Sequence, residues 1–218
     1  MTLSEENYLK AVYHLESTFS EGVPTNAIAE EMQTKPSSAT DMVKRLAEKE
    51  LIAYKPYQGA KLTKRGKNHA IKVIRKHRLW ESFLVEKLNF SWDEVHEIAE
   101  QLEHIKSEKL IYELDKFLGY PKTDPHGDPI PDEEGNIELI QKQVLAEMEK
   151  GEEGICVGVN DSSSAFLQYL DKNNISLGKK IKVIDKEEFD NSLVITVNEE
   201  NITISSLAAN NLYIKKYK

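Results

Sequence analysis

The alternation of apolar and polar positions divides the chain before any chemistry is considered. Tyr8, Leu9, Val12, Tyr13 and Leu15 recur near a period of 3.6, so the chain opens on an amphipathic helix. Gly22 and Pro24 break it, and Thr25 is placed as the N-cap of a short helix carrying Ile28, Ala29 and Met32. After a turn through Thr34 and Lys35, Pro36 suits the first position of a second helix. Its Ala39, Met42, Val43 and Leu46 follow the i, i+3, i+4, i+7 spacing of one buried stripe. Two short helices joined by a tight turn form a helix-turn-helix. Residues 51–57 and 60–63 then read as two strands around Gln58-Gly59, which extends the motif to a winged helix.

Residues 64–88 contain no proline and carry Ile71, Val73, Ile74, Leu79, Phe83 and Leu84, which predicts one long helix. Ser91, with Glu94 three residues on, marks a capping box for a further helix with Val95, Ile98, Leu102 and Ile105 on one side. Another helix is expected over 108–118. Gly119, Pro121, Pro125, Gly127, Pro129 and Pro131 then stop regular structure. An acidic linker leads into a short amphipathic segment over 137–148. From Gly154 the texture turns to β-branched runs at 181–184, 193–197 and 202–204, which suit a small barrel with Cys156 as a core strand residue. The fold class expected is mainly α with a small β domain.

Composition narrows the setting. Across 218 residues, 39% are hydrophobic and 30% charged, enough apolar material for a core and too much for a disordered chain. No apolar run approaches the roughly 18 residues of a membrane span. The opening MTLSEENYLK is acidic, so no signal peptide is expected. A single cysteine excludes an internal disulfide framework and a thiolate-rich metal site, making a reducing, cytoplasmic location the expectation. The net charge of −8 is unevenly spread: residues 1–78 hold 14 Lys+Arg against 9 Asp+Glu, whereas the remainder holds 15 against 28. A basic part and an acidic part point to two kinds of partner, a polyanion and cations.

The second helix of the helix-turn-helix presents Ser37, Thr40, Asp41, Lys44 and Arg45 opposite its apolar stripe, a face of short hydrogen-bonding side chains and cations that suits base edges and phosphates in a major groove. Residues 41–78 hold 12 Lys+Arg against 3 Asp+Glu, which supplies the sequence-independent phosphate attraction. The expected DNA-contacting set is Thr25, Ser37, Ser38, Thr40, Lys44 and Arg45, with Lys55 and Lys61 on the wing. The alternative is a solvated face in a protein-binding winged helix.

A second signal lies in the helix after Ser91. At 100° per residue, His96, Glu100, Glu103 and His104 fall within one stripe, opposite the apolar side. Glu100, Glu103 and His104 can converge on one cation. Oxygen-rich ligands with one imidazole suit Mn²⁺ or Fe²⁺ more than Zn²⁺ or Cu⁺. His77 and Glu81 share a helix face four residues apart, His96 can join them, and Asp124 and His126 lie in the proline-stiffened loop. The alternative is that these charges are simply the wet face of an amphipathic helix. No Gly-rich phosphate loop, HExxH motif or nucleophile elbow is present, so catalysis has little support.

The run Arg75-Lys76-His77-Arg78-Leu79-Trp80-Glu81, the run from Val95-His96-Glu97 to Leu102-Glu103-His104, and Asp128-Pro129-Ile130-Pro131 resemble the diphtheria-toxin-repressor family of metal-dependent transcriptional repressors. The resemblance covers nearly the whole chain. It implies a winged-helix DNA-binding domain over 1–70, a helical dimerisation and metal-binding domain over 71–140, and an SH3-like (FeoA-like) β domain over 150–218. Glu100 stands where iron-responsive members place a cysteine, so the chain resembles the manganese-responsive branch. Position by position, the resemblance implies one site of Asn7, Glu100, Glu103 and His104. A second would draw on Glu81, Asp124, His126 and Asp161, with His77 and His96 as further candidates. Relatives usually carry Asp or Met where Asn7 stands, so one negative charge is lost; where Asp124 stands they often carry a thiol, and a carboxylate favours Mn²⁺ over Zn²⁺.

The expected function is therefore a homodimeric repressor of metal-uptake genes, activated by Mn²⁺ (with Fe²⁺ admissible and Zn²⁺ able to substitute) and bound to a palindromic double-stranded operator, with no membrane and no small-molecule substrate involved. Two alternatives stand beside it: a metal-indifferent winged-helix regulator with a structural carboxylate cluster, and a helix-bundle dimetal hydrolase or oxidase.

Overall fold

The structure, a computed structural model, describes residues 1–138 and 140–217. Leu139, within the segment expected to be amphipathic, and Lys218, the end of the expected third domain, lie outside the described residues. The chain divides into two compact units. One comprises Met1–His77, Gln101–Glu108 and Pro131–Asn136; the other comprises Arg78–Glu100, Lys109–Ile130 and Ile137–Lys218.

In the first unit, helix α1 (Leu3–Leu15) begins at a capping box in which Thr2 Oγ1 accepts from the Glu5 amide and the Glu5 carboxylate accepts from the Thr2 amide. Its Tyr8, Leu9 and Val12 enter a core with Ile28 and Ala29 of α2 (Thr25–Glu31) and with Ala39, Val43 and Leu46 of α3 (Pro36–Glu48). Leu9, Ile28 and Leu46 have no exposed surface, and each such side chain contributes about 1.5–3 kcal/mol by leaving water. Strands β1 (Ile52–Lys55) and β2 (Gly59–Leu62) pair antiparallel as the wing, with Lys55 opposite Gly59.

The wing is anchored from behind. Val23 and Ala60 exchange two backbone hydrogen bonds of 2.8 Å. Gly59 has φ +82°, and a Cβ there would lie 2.7–2.8 Å from the Gly22 and Val23 backbone, so only glycine admits this approach. The same bridge corrects an expectation about α2. Pro24, extended at ψ 141°, is the N-cap, and Thr25 becomes the first helical residue. Pairing of Val23 holds the chain extended through Pro24, one residue away from the cap that composition suggested.

Helix α4 (Lys64–Leu88) spans the proline-free stretch, as its pattern predicted. Helix α5 is shorter than expected, covering only Val95–Leu102. Both the amide and the hydroxyl of Ser91 donate to Glu94, so half of the capping box forms, but residues 92–94 are a turn. At the other end the Ile105 amide bonds the Leu102 carbonyl, closing the helix and carrying Glu103 and His104 out of the expected stripe into a turn. Helix α6 spans Glu108–Phe117.

The rest of the second unit is a six-stranded sheet in the order β3-β8-β4-β5-β6-β7, antiparallel at every pairing. Its strands are β3 (Gln143–Val144), β4 (Glu153–Val159), β5 (Lys180–Lys186), β6 (Leu193–Val197), β7 (Glu200–Ile204) and β8 (Leu212–Lys216). Leu193, Ile195 and Val197 alternate into the core, the period-2 pattern of a strand with one buried face. Two helices were not anticipated: α7 (Ser164–Lys172), which buries Leu167 and Leu170, and α8 (Ser206–Asn210). Cys156 lies in this core, where burial pushes its thiol up to about 11, so it offers no reactive thiolate at neutral pH. Among the described residues, no helix is long and apolar enough to cross a membrane.

Candidate metal centres and nucleic-acid interface

With Ala39, Val43 and Leu46 turned into the core, α3 leaves Ser37, Ser38, Asp41, Lys44 and Arg45 along its other face. Thr40 is half-buried and its hydroxyl donates back to the Pro36 carbonyl at 2.8 Å, so toward a ligand it can only accept. Thr25 is half-buried at the start of α2, while Lys55 and Lys61 are exposed on the wing. Between them, Tyr57 projects from the hairpin tip, fully exposed at φ +67°. Its exposure was not anticipated, because an isolated aromatic beside a turn carries no periodicity.

The first unit also contains a polar cluster centred on Glu103, which has no exposed surface. Both its oxygens accept from Lys10 Nζ, at 2.8 and 2.9 Å, and one lies 2.6 Å from His77 Nδ1. A carboxylate only accepts, so His77 donates. Burial pushes the Glu103 carboxyl up, but the His77 hydrogen bond and the Lys10 charge together outweigh it and hold the group below its usual value. His104 Nδ1 lies 2.6 Å from Glu6 and by the same reasoning donates to it; its Nε2 faces Glu103 Oε1 at 3.7 Å. Two ligand atoms so spaced fit around one cation with bonds of about 2.1 Å. Glu6 then does for His104 what carboxylates commonly do for metal-binding histidines, fixing tautomer and ring orientation.

Asn7 also lies on α1, between Glu6 and Lys10 in sequence. Its Oδ1 is buried and has no hydrogen-bond partner. An orphaned buried acceptor costs about 1–3 kcal/mol, and a cation would satisfy it. Glu100 was expected to join Glu103 and His104; it is exposed on α5 in the second unit, where His96 Nε2 lies 3.7 Å away. Its part in the site rests on the sequence alone.

The second unit brings Glu81 of α4 together with Asp124 and His126 of the proline-rich loop. All three are buried, with one ligand atom from each within 4.8 Å of the others. Asp124 Oδ1 accepts the amides of His126 and Asp128 at 2.8 and 3.0 Å, which shapes the loop into a tight turn. Arg78 flanks it, 3.5 Å from Asp124 and 3.4 Å from Asp128. His126 Nδ1 points to Glu81 at 3.4 Å, and its Nε2 lies 2.8 Å from the Trp92 carbonyl. A carbonyl cannot donate, so Nε2 carries the proton and Nδ1 is the atom presented to the cluster. His96 Nδ1 lies 3.4 Å from the other Glu81 oxygen.

Burial and mutual repulsion set the carboxylates of this cluster against one another. Burial, then the neighbouring Glu81 charge, pushes the Asp124 carboxyl up to about 7. Burial lowers the His126 imidazole, but the hydrogen bond and charge of Glu81, with Asp124, outweigh it and raise the group to about 9. Two buried carboxylates crowded against each other beside an imidazole are an environment a divalent ion would occupy. Asp161 does not join the three: it accepts from the Ser163 amide at 2.8 Å, shaping the approach to α7.

Sequence reasoning missed Glu6, Lys10 and Trp92. Glu6 and Lys10 are four apart and share a face of α1, a signal present but indistinguishable from an ordinary surface pair. Trp92 acts partly through its backbone carbonyl, which leaves no trace in sequence.

The chain matches three family descriptions in succession: "Iron dependent repressor, N-terminal DNA binding domain" over residues 1–60, "Iron dependent repressor, metal binding and dimerisation domain" over 63–132, and "FeoA domain" over 143–216. It is 39% identical over 136 residues to the iron-dependent repressor IdeR of Mycobacterium tuberculosis, covering 62% of this chain and 56% of that protein. The chain thus spans little more than half the length of the mycobacterial relatives it matches. It is 30% identical over 197 residues to the diphtheria toxin repressor of Corynebacterium jeikeium, covering 89% of this chain and 73% of that one. Among solved structures, a manganese-dependent transcriptional repressor in complex with manganese is similar with a TM-score of 0.85 at 31% identity, over 98% of this chain and 100% of that chain.

Proposed function

Because the chain belongs to the iron-dependent repressor family, we propose that it is a metal-activated transcriptional repressor, responding to Mn²⁺ and acting as a homodimer on a palindromic operator of metal-uptake genes in the cytoplasm. The observation that carries the reading is the burial of Glu81, Asp124 and His126 within 4.8 Å of one another, in a chain that also presents a winged helix. Glu81, Asp124 and His126 would hold one ion. Glu103, His104 and Asn7 would hold another, with Glu100 as a further ligand. Carboxylate and amide oxygens with one imidazole per set, and no thiolate, favour Mn²⁺, with Fe²⁺ or Zn²⁺ able to substitute. The ion supplies positive charge to carboxylates that otherwise repel one another.

The chain's own residues do the rest. Asn7 belongs to α1, whose Leu9 and Val12 pack in the core that also seats α3. Glu103 and His104 lie in the turn after α5. Tying these segments together orders α1, and with it the recognition helix, so that two copies can reach two half-sites about 34–36 Å apart. Leu88 and Phe117, 51% and 63% exposed, leave apolar surface at the ends of α4 and α6 for the second copy. The role is binding and switching, without turnover.

One observation favours a second reading, in which the carboxylates are structural and DNA binding is indifferent to metal: Lys10 already satisfies both Glu103 oxygens. A gel-shift titration separates the two, using a duplex selected from a randomised pool by the manganese-loaded protein. Manganese is expected to tighten binding about 5- to 150-fold over chelator-treated protein, the range of ordinary allosteric coupling. Equal affinities would favour the second reading.

A further inference from the structure

His126 reaches the Glu81–Asp124 cluster in one orientation, set by contacts from Trp92 to its ring and from the β domain to its backbone. Its Nε2 donates to the Trp92 carbonyl at 2.8 Å, and its ring stacks on the Trp92 indole with centroids 6.2 Å apart and planes 12° apart. Its own carbonyl accepts from the Val159 amide of β4 at 2.9 Å. The next residue, Gly127, has φ +85°, and a Cβ there would lie 2.1 Å from the Val157 carbonyl, so the loop lies tightly against β4. The loop is thus fixed from below, and the ring from the side by Trp92.

Trp92 is itself fixed. It packs against the β-domain core, and its Nε1 donates to Asp171 of α7 at 3.1 Å. The neighbouring Asp93 accepts from Ser164 and Gln168 of the same helix at 3.0 and 2.8 Å. Helix α7 therefore grips the segment before α5 at two consecutive residues.

We infer that Trp92 is a positioning residue for the metal ligand His126, and that α7, through Asp171, sets its position, so that the β domain tunes metal affinity through this contact. The β4 contacts hold the loop backbone, whereas the Trp92–Asp171 contact acts on the His126 ring itself. Such outer partners of a metal-binding histidine typically change affinity by about 10- to 100-fold. The inference rests on the metal-repressor reading above and adds to it what the β domain does.

The test is Mn²⁺ binding to the full chain, followed by the electron paramagnetic resonance signal of the free aquo ion. His126→Ala identifies the class of sites that depends on this imidazole. Asp171→Ala is expected to weaken that class about tenfold and leave the remaining sites unchanged. Asp171 is exposed, so its truncation leaves the core intact. Asp171→Asn keeps an oxygen for the indole N–H and should restore affinity to near the wild-type value, a rescue that general loosening would not produce. Trp92→Phe, which keeps a stacking ring but loses the donor, should resemble Asp171→Ala. An Asp171→Ala isotherm matching wild type, or equal weakening of every class, overturns the inference while leaving the repressor reading intact. Wild-type protein that takes up no Mn²⁺, or a His126→Ala variant that loses no sites, overturns the metal reading itself and this inference with it.

Discussion

Replacing Glu103 by Gln removes one charge from the most buried carboxylate of the first unit while keeping its shape. In the metal-free protein, the change deprives Lys10 and His77 of an anion held at 2.8, 2.9 and 2.6 Å. Breaking a buried ion pair from one side costs about 3–5 kcal/mol. The Lys10 side chain is 14% exposed, so its ammonium can partly rehydrate, and the expected cost falls to about 2–3 kcal/mol. For a chain of this length that lowers Tm by roughly 5–10 °C, read by circular dichroism in chelator. Manganese should then separate the two proteins further. At a hundred times Kd, each filled site stabilises wild type by about 2.7 kcal/mol, and the variant should lack the contribution of the Glu103 site. A variant as stable as wild type in chelator and equally stabilised by Mn²⁺ would refute the reasoning, since Glu103 would then be neither the anion of a buried cluster nor a ligand.

Other substitutions probe the proposed DNA and dimer surfaces separately. Gly59→Ala forces a Cβ to within 2.7–2.8 Å of the Gly22 and Val23 backbone; it should displace the wing and weaken duplex binding while leaving Mn²⁺ uptake unchanged, and unaltered duplex binding would argue against the wing as part of the interface. Lys55→Ala with Lys61→Ala should reduce the salt dependence of duplex affinity by about 0.9 in log–log slope for each phosphate no longer neutralised, measured by fluorescence anisotropy from low to high salt; an unchanged slope would remove both lysines from the interface. Phe117→Glu places a charge on the most exposed large apolar side chain of α6, 63% exposed, and should shift the protein to monomer in analytical ultracentrifugation; a stable dimer would put the interface elsewhere.

Much of this architecture is legible in the residues because it follows from local periodicity. Ala39, Val43 and Leu46 repeat at helical spacing and are the residues α3 buries. The wing strands fall within two residues of the expected ranges, and α4 begins and ends where the proline-free run does. Periodicity fails where long-range pairing overrides it. Val23 reaches across to Ala60 and shifts the start of α2, a contact that neither residue advertises. Helix α7 was hidden among β-branched runs, although Leu167 and Leu170 carry its buried face. The site shows the same division. The residue types and the loop around His126 are readable in the sequence; the structure brings Glu81, Asp124 and His126 together but not Asp161. The wheel assigned Glu100, Glu103 and His104 to one helical stripe, whereas the helix stops at Leu102 and Glu103 is buried from a turn. What orients the two imidazoles, Glu6 for His104 and the Trp92 carbonyl for His126, comes from distant segments and from backbone, which no spacing rule reports.

The central claim is that divalent ions sit among these donors. Crystals of the full chain grown with MnCl₂ and measured on either side of the manganese absorption edge test it most directly. Anomalous peaks are expected within bonding distance of Glu81, Asp124 and His126 and of Glu103 and His104, with Lys10 withdrawn from the Glu103 carboxylate. A map without manganese peaks at either group, with Lys10 still bound to Glu103, would contradict it.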